Sequence, residues 1–333
     1  MQKSQNILKD YLVLELQKLI PPKSKVVFFD YAVFRNVGDL LISHSIECFF
    51  KFNENVVVDR YCMQNHVSAL HRTFSPDAIF VFQGGGNFGD LFEGHQQIRM
   101  NILLAHPEQV SIILPQTVYY QGLDNLKSDA KKLAQLDNLT LCTRDGLSFE
   151  IAQEYFSNNL KLLPDTVHIL QDAFGIQNPG MNQLKFLRQD QGSYSVTGLG
   201  VLPDDRSKFI DWPQFLTPWE AAAIRRFQQI HAWDARIGHT FLPHAAWRIF
   251  REKLLRRAAA LFLNSSDVVT NRLHGLIFSI ITRRDVSIIE SGYGKVSAYY
   301  DTFLKDVGSV SIKNADVHST GGMADMMPRR AER

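Results

Sequence analysis

Arg272 and His274 stand two residues apart in Thr270-Asn-Arg-Leu-His-Gly275. On extended backbone that spacing turns both side chains to one side. A guanidinium is a planar, permanently charged fork for a carboxylate or phosphate, and an imidazole beside it can deliver a proton. The pair therefore suits an anionic substrate that must be protonated to react, whereas a lone histidine would more often be a core residue. A second arginine, Arg144 in Thr143-Arg-Asp145, ends an apolar run and reads as another anion fork, a salt bridge to Asp145 or a surface charge.

Glycine-bearing segments accompany these residues. Asn36-Val-Gly38-Asp39 sits between a strand and a helix, where Gly38 permits close approach of the backbone. The free N–H groups of the helix start would attract an anion or a sugar hydroxyl. Gln83-Gly84-Gly85-Gly86-Asn87 places three consecutive glycines after another apolar run, a costly choice unless backbone must pass a ligand or take positive φ. No Gly-Lys-Ser/Thr follows and no dinucleotide fingerprint is in frame, so ATP and NAD sites are disfavoured. Leu114-Pro115-Gln116 and Ser291-Gly-Tyr293-Gly-Lys295 add polar groups and a cation at two further strand ends. Pro164-Asp165 reads as a hinge turn with a structural role.

These segments need a scaffold that gathers strand ends. The 333 residues, 45% of them hydrophobic, exceed what one core usually holds and predict two domains. Lys and Arg total 36 against 34 Asp and Glu, so no basic stripe marks a nucleic-acid binder. Cys48, Cys62 and Cys142 form no metal-binding or disulfide pattern, which predicts a reducing compartment and no metal site. The N-terminus carries internal charges and predicts no signal peptide, and no run has the ~20 apolar residues of a membrane span.

Periodicity predicts an amphipathic helix over 5–19, then short apolar strands at 26–30, 56–59, 78–82, 110–114 and 139–143. A helix follows the turn at Gly38–Asp39, and others are expected at 98–105, 123–136 and 147–156. The polar stretch 177–194 predicts a linker, which puts a first domain at 1–176 and a second at 195–317. The second begins with a strand at 196–202. Thr217-Pro-x-Glu220 has the form of a capped helix start. Helices at 245–263 and 275–281 alternate with strands at 267–270 and 286–289, and the tail 318–333 has little to bury. Continuous apolar strands alternating with helices mean parallel sheets covered on both faces. The expected class is α/β, two Rossmann-like doubly wound domains similar to the GT-B glycosyltransferase architecture, with a cleft at the strand ends. The helix at 5–19 could touch a membrane surface, but docking against its own sheet is the favoured reading.

Taken in order, Asn36-x-Gly38-Asp39, Gly84-Gly85-Gly86-Asn87, Leu114-Pro115-Gln116, Thr143-Arg144-Asp145, Leu163-Pro164-Asp165, Arg272-Leu273-His274-Gly275 and Tyr293-Gly-Lys295 resemble the polysaccharide pyruvyl transferase family. The ordered set spans most of the chain, and departs from the family pattern at 201–206 and 290–292. The resemblance implies transfer of pyruvate from phosphoenolpyruvate to two hydroxyls of a sugar as a cyclic ketal. It implies His274 as general acid and Arg272 and Arg144 on the donor, with Asn36, Gly38, Asp39, Gly84, Gly85, Gly86, Asn87, Gln116, Tyr293 and Lys295 around the substrates. No cofactor is implied beyond phosphoenolpyruvate as donor substrate. The partners implied are a surface glycan or lipid-linked oligosaccharide acceptor, with no nucleic acid. The place of work is cytoplasmic, at the inner face of the membrane or with a biosynthetic complex. Two other readings share the architecture: a nucleotide-sugar glycosyltransferase and a non-catalytic glycan-binding relative.

Overall fold

The computed structural model describes residues 2–188, 209–237, 241–289, 294–306 and 310–312. The first part of the chain runs α1 (Gln2–Leu19), β1 (Lys25–Phe29), α2 (Val37–Phe52), β2 (Val56–Tyr61), β3 (Ile79–Phe82), β4 (Gly85–Gly89), α3 (Glu93–Ala105), β5 (Ser111–Tyr119), α4 (Leu123–Leu133), β6 (Leu139–Thr143), α5 (Gly146–Tyr155) and β7 (Asn159–Leu162). The second part runs β8 (Asn182–Phe186), α6 (Trp212–Phe215), α7 (Pro218–Ile237), α8 (Phe241–Leu263), β9 (Ser265–Thr270), α9 (Leu273–Ile281), β10 (Asp285–Ile288), α10 (Lys295–Phe303) and β11 (Val310–Ile312).

The first sheet is parallel, in the order β2-β1-β3-β5-β6-β7, with β4 laid along the far end of β5. The second, β11-β10-β9-β8, is also parallel. Every residue of β3 and β6 is buried, as strands with helices on both faces require. Both parts are thus Rossmann-like and α/β, as the sequence predicts.

Three local outcomes differ from expectation. β5 runs to Tyr119 rather than stopping at 114, because a register shift between Ile113 and Gln116 absorbs Pro115. The glycine run is not only a loop: Gly85–Gly89 pairs with the extension of β5, and a Cβ on Gly84 would meet the Pro115 carbonyl at 2.7 Å. Residues 177–194, expected to be a linker, contain β8, whose Leu184 and Phe186 point into the core with exposed or half-buried neighbours between them. Two alternate apolar positions are too few to stand out from a polar stretch. The strand expected at 196–202 and the tail 318–333 lie outside the described residues.

The two sheets are held by a shared core. Leu12 and Leu16 of α1, Leu40 and Phe50 of α2, Trp247 and Leu255 of α8 and Ile277 of α9 belong to one buried cluster. α1 therefore docks through its apolar face. Polar ties cross the same interface: the Trp247 indole donates to the Ala32 carbonyl (3.0 Å), and the Gln228 amide donates to that of Val33 (2.8 Å). Glu47 on α2 accepts from both Arg60 and Arg251, the latter fully buried on α8. At α7 the capping box forms as predicted, Glu220 N–H donating to Thr217 Oγ1 and Thr217 N–H to Glu220 Oε2.

Candidate functional site

Between the carboxyl ends of the two sheets lies a cleft of about 330 Å³. Asn36, Asp39, Gly86, Asn87, Arg144, Arg272, His274 and Lys295 all line it. Gly84, Gly85 and Gln116 stand behind it, and Tyr293 lies outside the described residues.

Arg144 follows β6 and is buried by its own hydrogen bonds. Its Nε donates to Thr117 Oγ1 (2.9 Å) and its Nη1 to Asp165 Oδ2 (2.6 Å). Its expected salt-bridge partner, Asp145, instead caps α5 through Ser148 N–H. Gly86 lets the guanidinium reach the cleft: a Cβ there would lie 3.0 Å from Nη2. The glycine run thus makes room for a cation as well as for backbone.

His274 sits in the first turn of α9, with its Nε2 3.5 Å from Asp165 Oδ2. Burial pushes the Asp165 carboxyl up, but His274 and Arg144 more than offset that, and the group is held well below the usual carboxylate range. Val167 N–H fixes the other oxygen (3.0 Å), and Tyr299 on α10 accepts from the Asp165 backbone N–H (3.1 Å). Asp165 is therefore an ionised, fully held carboxylate joining the arginine to the histidine, which corrects its reading as a hinge turn. The available signal was its place after β7, on the same carboxyl edge as every other candidate.

The imidazole also depends on Gly38. A Cβ at that position would fall 2.8 Å from the His274 Cγ and closer still to Nδ1. Asn36 caps α2 by accepting from Gly38 N–H (3.1 Å), which fixes this turn against the ring. Asp39, one residue on, has its carboxyl pushed up by burial against the opposing pull of His274, His95 and Arg144.

Arg272 and His274 line the same cleft but take different partners. The helix begins at Leu273, so Arg272 is the extended residue before it and pairs with Asp211 (2.6 Å from Nη2 to Oδ2), while His274 has already turned toward the first sheet. The expectation of one extended segment fails because α9 starts two residues earlier than periodicity indicates. Lys295 opens α10 opposite Arg144, and burial, with Arg144 and Arg188, lowers its pKa to about 8. Arg188 itself enters the cleft beside Asn271, whose Oδ1 accepts from its backbone N–H (2.7 Å). Asn87 forms the floor and is held by the buried Gln116 behind it: Gln116 Nε2 donates to Asn87 Oδ1 (3.0 Å) and to the Gln83 carbonyl (2.8 Å). Sequence reasoning gives Asp165 only a turn's role and misses Arg188, His95 and the aromatic rim of Phe34, Phe92 and Trp212.

Two facing parallel sheets whose carboxyl edges share a cationic cleft define an α/β protein of the Rossmann-like, GT-B-like class. The fold agrees with a solved structure of an uncharacterized protein from Klebsiella pneumoniae subsp. pneumoniae NTUH-K2044, at TM-score 0.58 and 18% identity over 92% of this chain and 98% of that one. The chain belongs to the polysaccharide pyruvyl transferase family, whose model matches residues 36–290. Bacillus subtilis (strain 168) EpsO, named as a pyruvyl transferase, is 32% identical over 89% of this chain and 91% of its own. Pyruvyl transferase 1 of Schizosaccharomyces pombe is 29% identical over 67% of this chain and 54% of its own. No helix among the described residues is long and apolar enough to cross a membrane.

Proposed function

We propose that the chain transfers pyruvate from phosphoenolpyruvate to a sugar of a polysaccharide or its lipid-linked precursor, closing a cyclic ketal over two hydroxyls. The observation that carries this reading is the convergence of Arg144, Lys295 and the His274–Asp165 pair from opposite sheets on one cleft. Phosphoenolpyruvate brings a carboxylate and a phosphate, which suit Arg144 and Lys295 and the N–H groups opening α9 and α10. Arg272, tied to Asp211, shapes the wall and adds charge from the side.

In this reading His274 gives a proton to C3 of the enol, leaving C2 electron-poor. A sugar hydroxyl adds to C2, and its proton restores the imidazolium. Phosphate then leaves with the C–O electron pair, and the second hydroxyl closes on C2 and gives its proton to the departing phosphate or to water. Asp165 orients the ring, since a carboxylate beside one imidazole nitrogen fixes which edge faces the substrate. The Asn87 amide, held from behind by Gln116, and the aromatic rim offer a sugar its usual combination of hydrogen bonds and flat apolar faces.

The test is incubation with phosphoenolpyruvate and candidate glycan acceptors, following phosphate release and the ketal methyl resonance. The reading requires both signals from the wild type and their near-total loss in a folded His274→Ala variant. Absence of donor binding together with protection by a nucleotide sugar would overturn it in favour of glycosyl transfer.

A further inference from the structure

The outer side of the α7–α8 pair carries a patch that the cleft does not use. Trp219, Ala223, Arg226, Ile230 and Trp233 follow one another at steps of four and three, which places them in a single stripe along α7. The two tryptophans are 70% and 60% exposed, unusual for the largest apolar side chain. The stripe continues onto α8. Trp219 meets Phe250, ring centres 5.8 Å apart, and Ala246, Ile249 and Lys253 share that side of α8 by the same spacing. Ile249 is itself 61% exposed.

The exposed charges of α7 have one sign, and Glu252, the acid beside the patch on α8, is paired with Arg256. Arg225, Arg226 and Arg236 are the exposed ionisable residues of α7, because its two acids, Glu220 and Asp234, are buried. None of the three arginines has an ion-pair partner among the described residues. Lys253 lies inside the patch on α8. A second copy of this chain would set arginine against arginine, so the surface does not complement itself.

We infer that this face docks on an anionic lipid bilayer surface. Trp and Ile enter the headgroup–acyl boundary while Arg226, Lys253 and the flanking arginines meet lipid phosphates. α7 is joined to the cleft at two points. Trp212, just before it, lines the cleft, and Gln228 within it donates to the Val33 carbonyl beside the cleft residue Phe34. Docking through α7 therefore holds the cleft close to the membrane plane.

The experiment is co-sedimentation of the full chain with phosphatidylglycerol-containing and pure phosphatidylcholine vesicles, at low and at 0.5 M salt, with tryptophan emission recorded alongside. Binding to the anionic vesicles alone is expected, weakened by salt and accompanied by a blue shift. Trp219→Ser with Trp233→Ser, and separately Arg226→Glu with Lys253→Glu, should each lower partitioning by at least about tenfold with unchanged circular dichroism. The inference is overturned by equal partitioning of wild type and variants, by no binding to anionic vesicles, or by a wild-type dimer that the tryptophan variant dissolves. Vesicle binding needs neither donor nor acceptor, so its failure leaves the proposed reaction standing, and the reverse also holds.

Discussion

Replacing Gly38 by Ala separates the chemistry of the cleft from its stability. Gly38 occupies the second position of α2 with no positive φ, so the backbone accepts alanine there. In a helix that exchange ordinarily contributes up to about 1 kcal/mol. Against it stands the new methyl, 2.8 Å from the His274 Cγ. Ordinary contacts to carbon lie at ~3.5–4.0 Å and Nδ1 is nearer than Cγ, so the ring must retreat by about 1 Å or more, and overpacking of this kind costs ~1–3 kcal/mol. The two effects partly offset each other, and the folded state should lose about 0–2 kcal/mol.

Activity should not be spared in the same way. A proton donor displaced by about 1 Å from its acceptor loses on the order of a hundredfold in rate. The expected outcome is therefore a melting curve close to wild type and a kcat for phosphate release about two decades lower, approaching the floor set by His274→Ala. Gly38→Ser should be no better, since it adds an oxygen at the same place. A Gly38→Ala enzyme with kcat within twofold of wild type would refute the claim that this glycine positions the imidazole. A pronounced fall in melting temperature would refute the energetic balance.

Asp165→Asn leaves Arg144 buried without its carboxylate and should cost ~3–5 kcal/mol at pH 7, read from denaturant or thermal unfolding. Because the folded-state pKa of Asp165 is depressed, its contribution is present above the unfolded value near ~4 and fades as pH falls below it. The gap between wild type and Asp165→Asn should close on acidification, and a constant gap would count against an ionised Asp165. Lys295 titrates near 8 when folded and near ~10.4 when unfolded, so its buried charge costs ~3 kcal/mol below pH 8, and stability rises with pH between the two values. Lys295→Met should be more stable than wild type at pH 7. In initial-rate profiles, kcat/KM for the donor should fall above pH 8 in the wild type and show no such inflection in the variant. Arg251→Ala removes a buried cation from Glu47 and should lower stability by ~3–5 kcal/mol; a loss below about 1 kcal/mol would mean that Arg60 alone satisfies that carboxylate.

The parallel sheets were legible because their strands are continuous apolar runs, and the cleft because each candidate follows such a run. Arg144, His274, Lys295, Asn36 and Asp39 were reached in that way. What sequence could not supply was pairing. Asp165 looks like a turn residue next to Pro164, and only the packing of α9 against the first sheet brings its Oδ2 to 3.5 Å from His274. Arg272 reads in sequence only as a fork for a substrate anion, because its partner Asp211 is 61 residues away. β8 was hidden because an edge strand buries only alternate side chains and this one has two of them, Leu184 and Phe186.

The distribution of the site over two sheets has a further meaning. The imidazole hangs from the second sheet, while the carboxylate and guanidinium that surround it hang from the first. A sub-ångström shift of one sheet against the other would separate His274 from Asp165 without altering either sheet. The ties that prevent such a shift lie behind the cleft, not in it: Trp247 on the Ala32 carbonyl, Gln228 on that of Val33, and Arg251 on Glu47. Both carbonyls belong to the loop between β1 and α2, whose next residues are Phe34, Asn36, Gly38 and Asp39. The same short loop thus carries the wall that contacts the imidazole and receives the hydrogen bonds that register the sheets. A buried Arg–Glu pair is a poor source of stability compared with apolar packing. Its place beside this loop gives it a positional role instead, holding the proton donor and its partner carboxylate in one geometry.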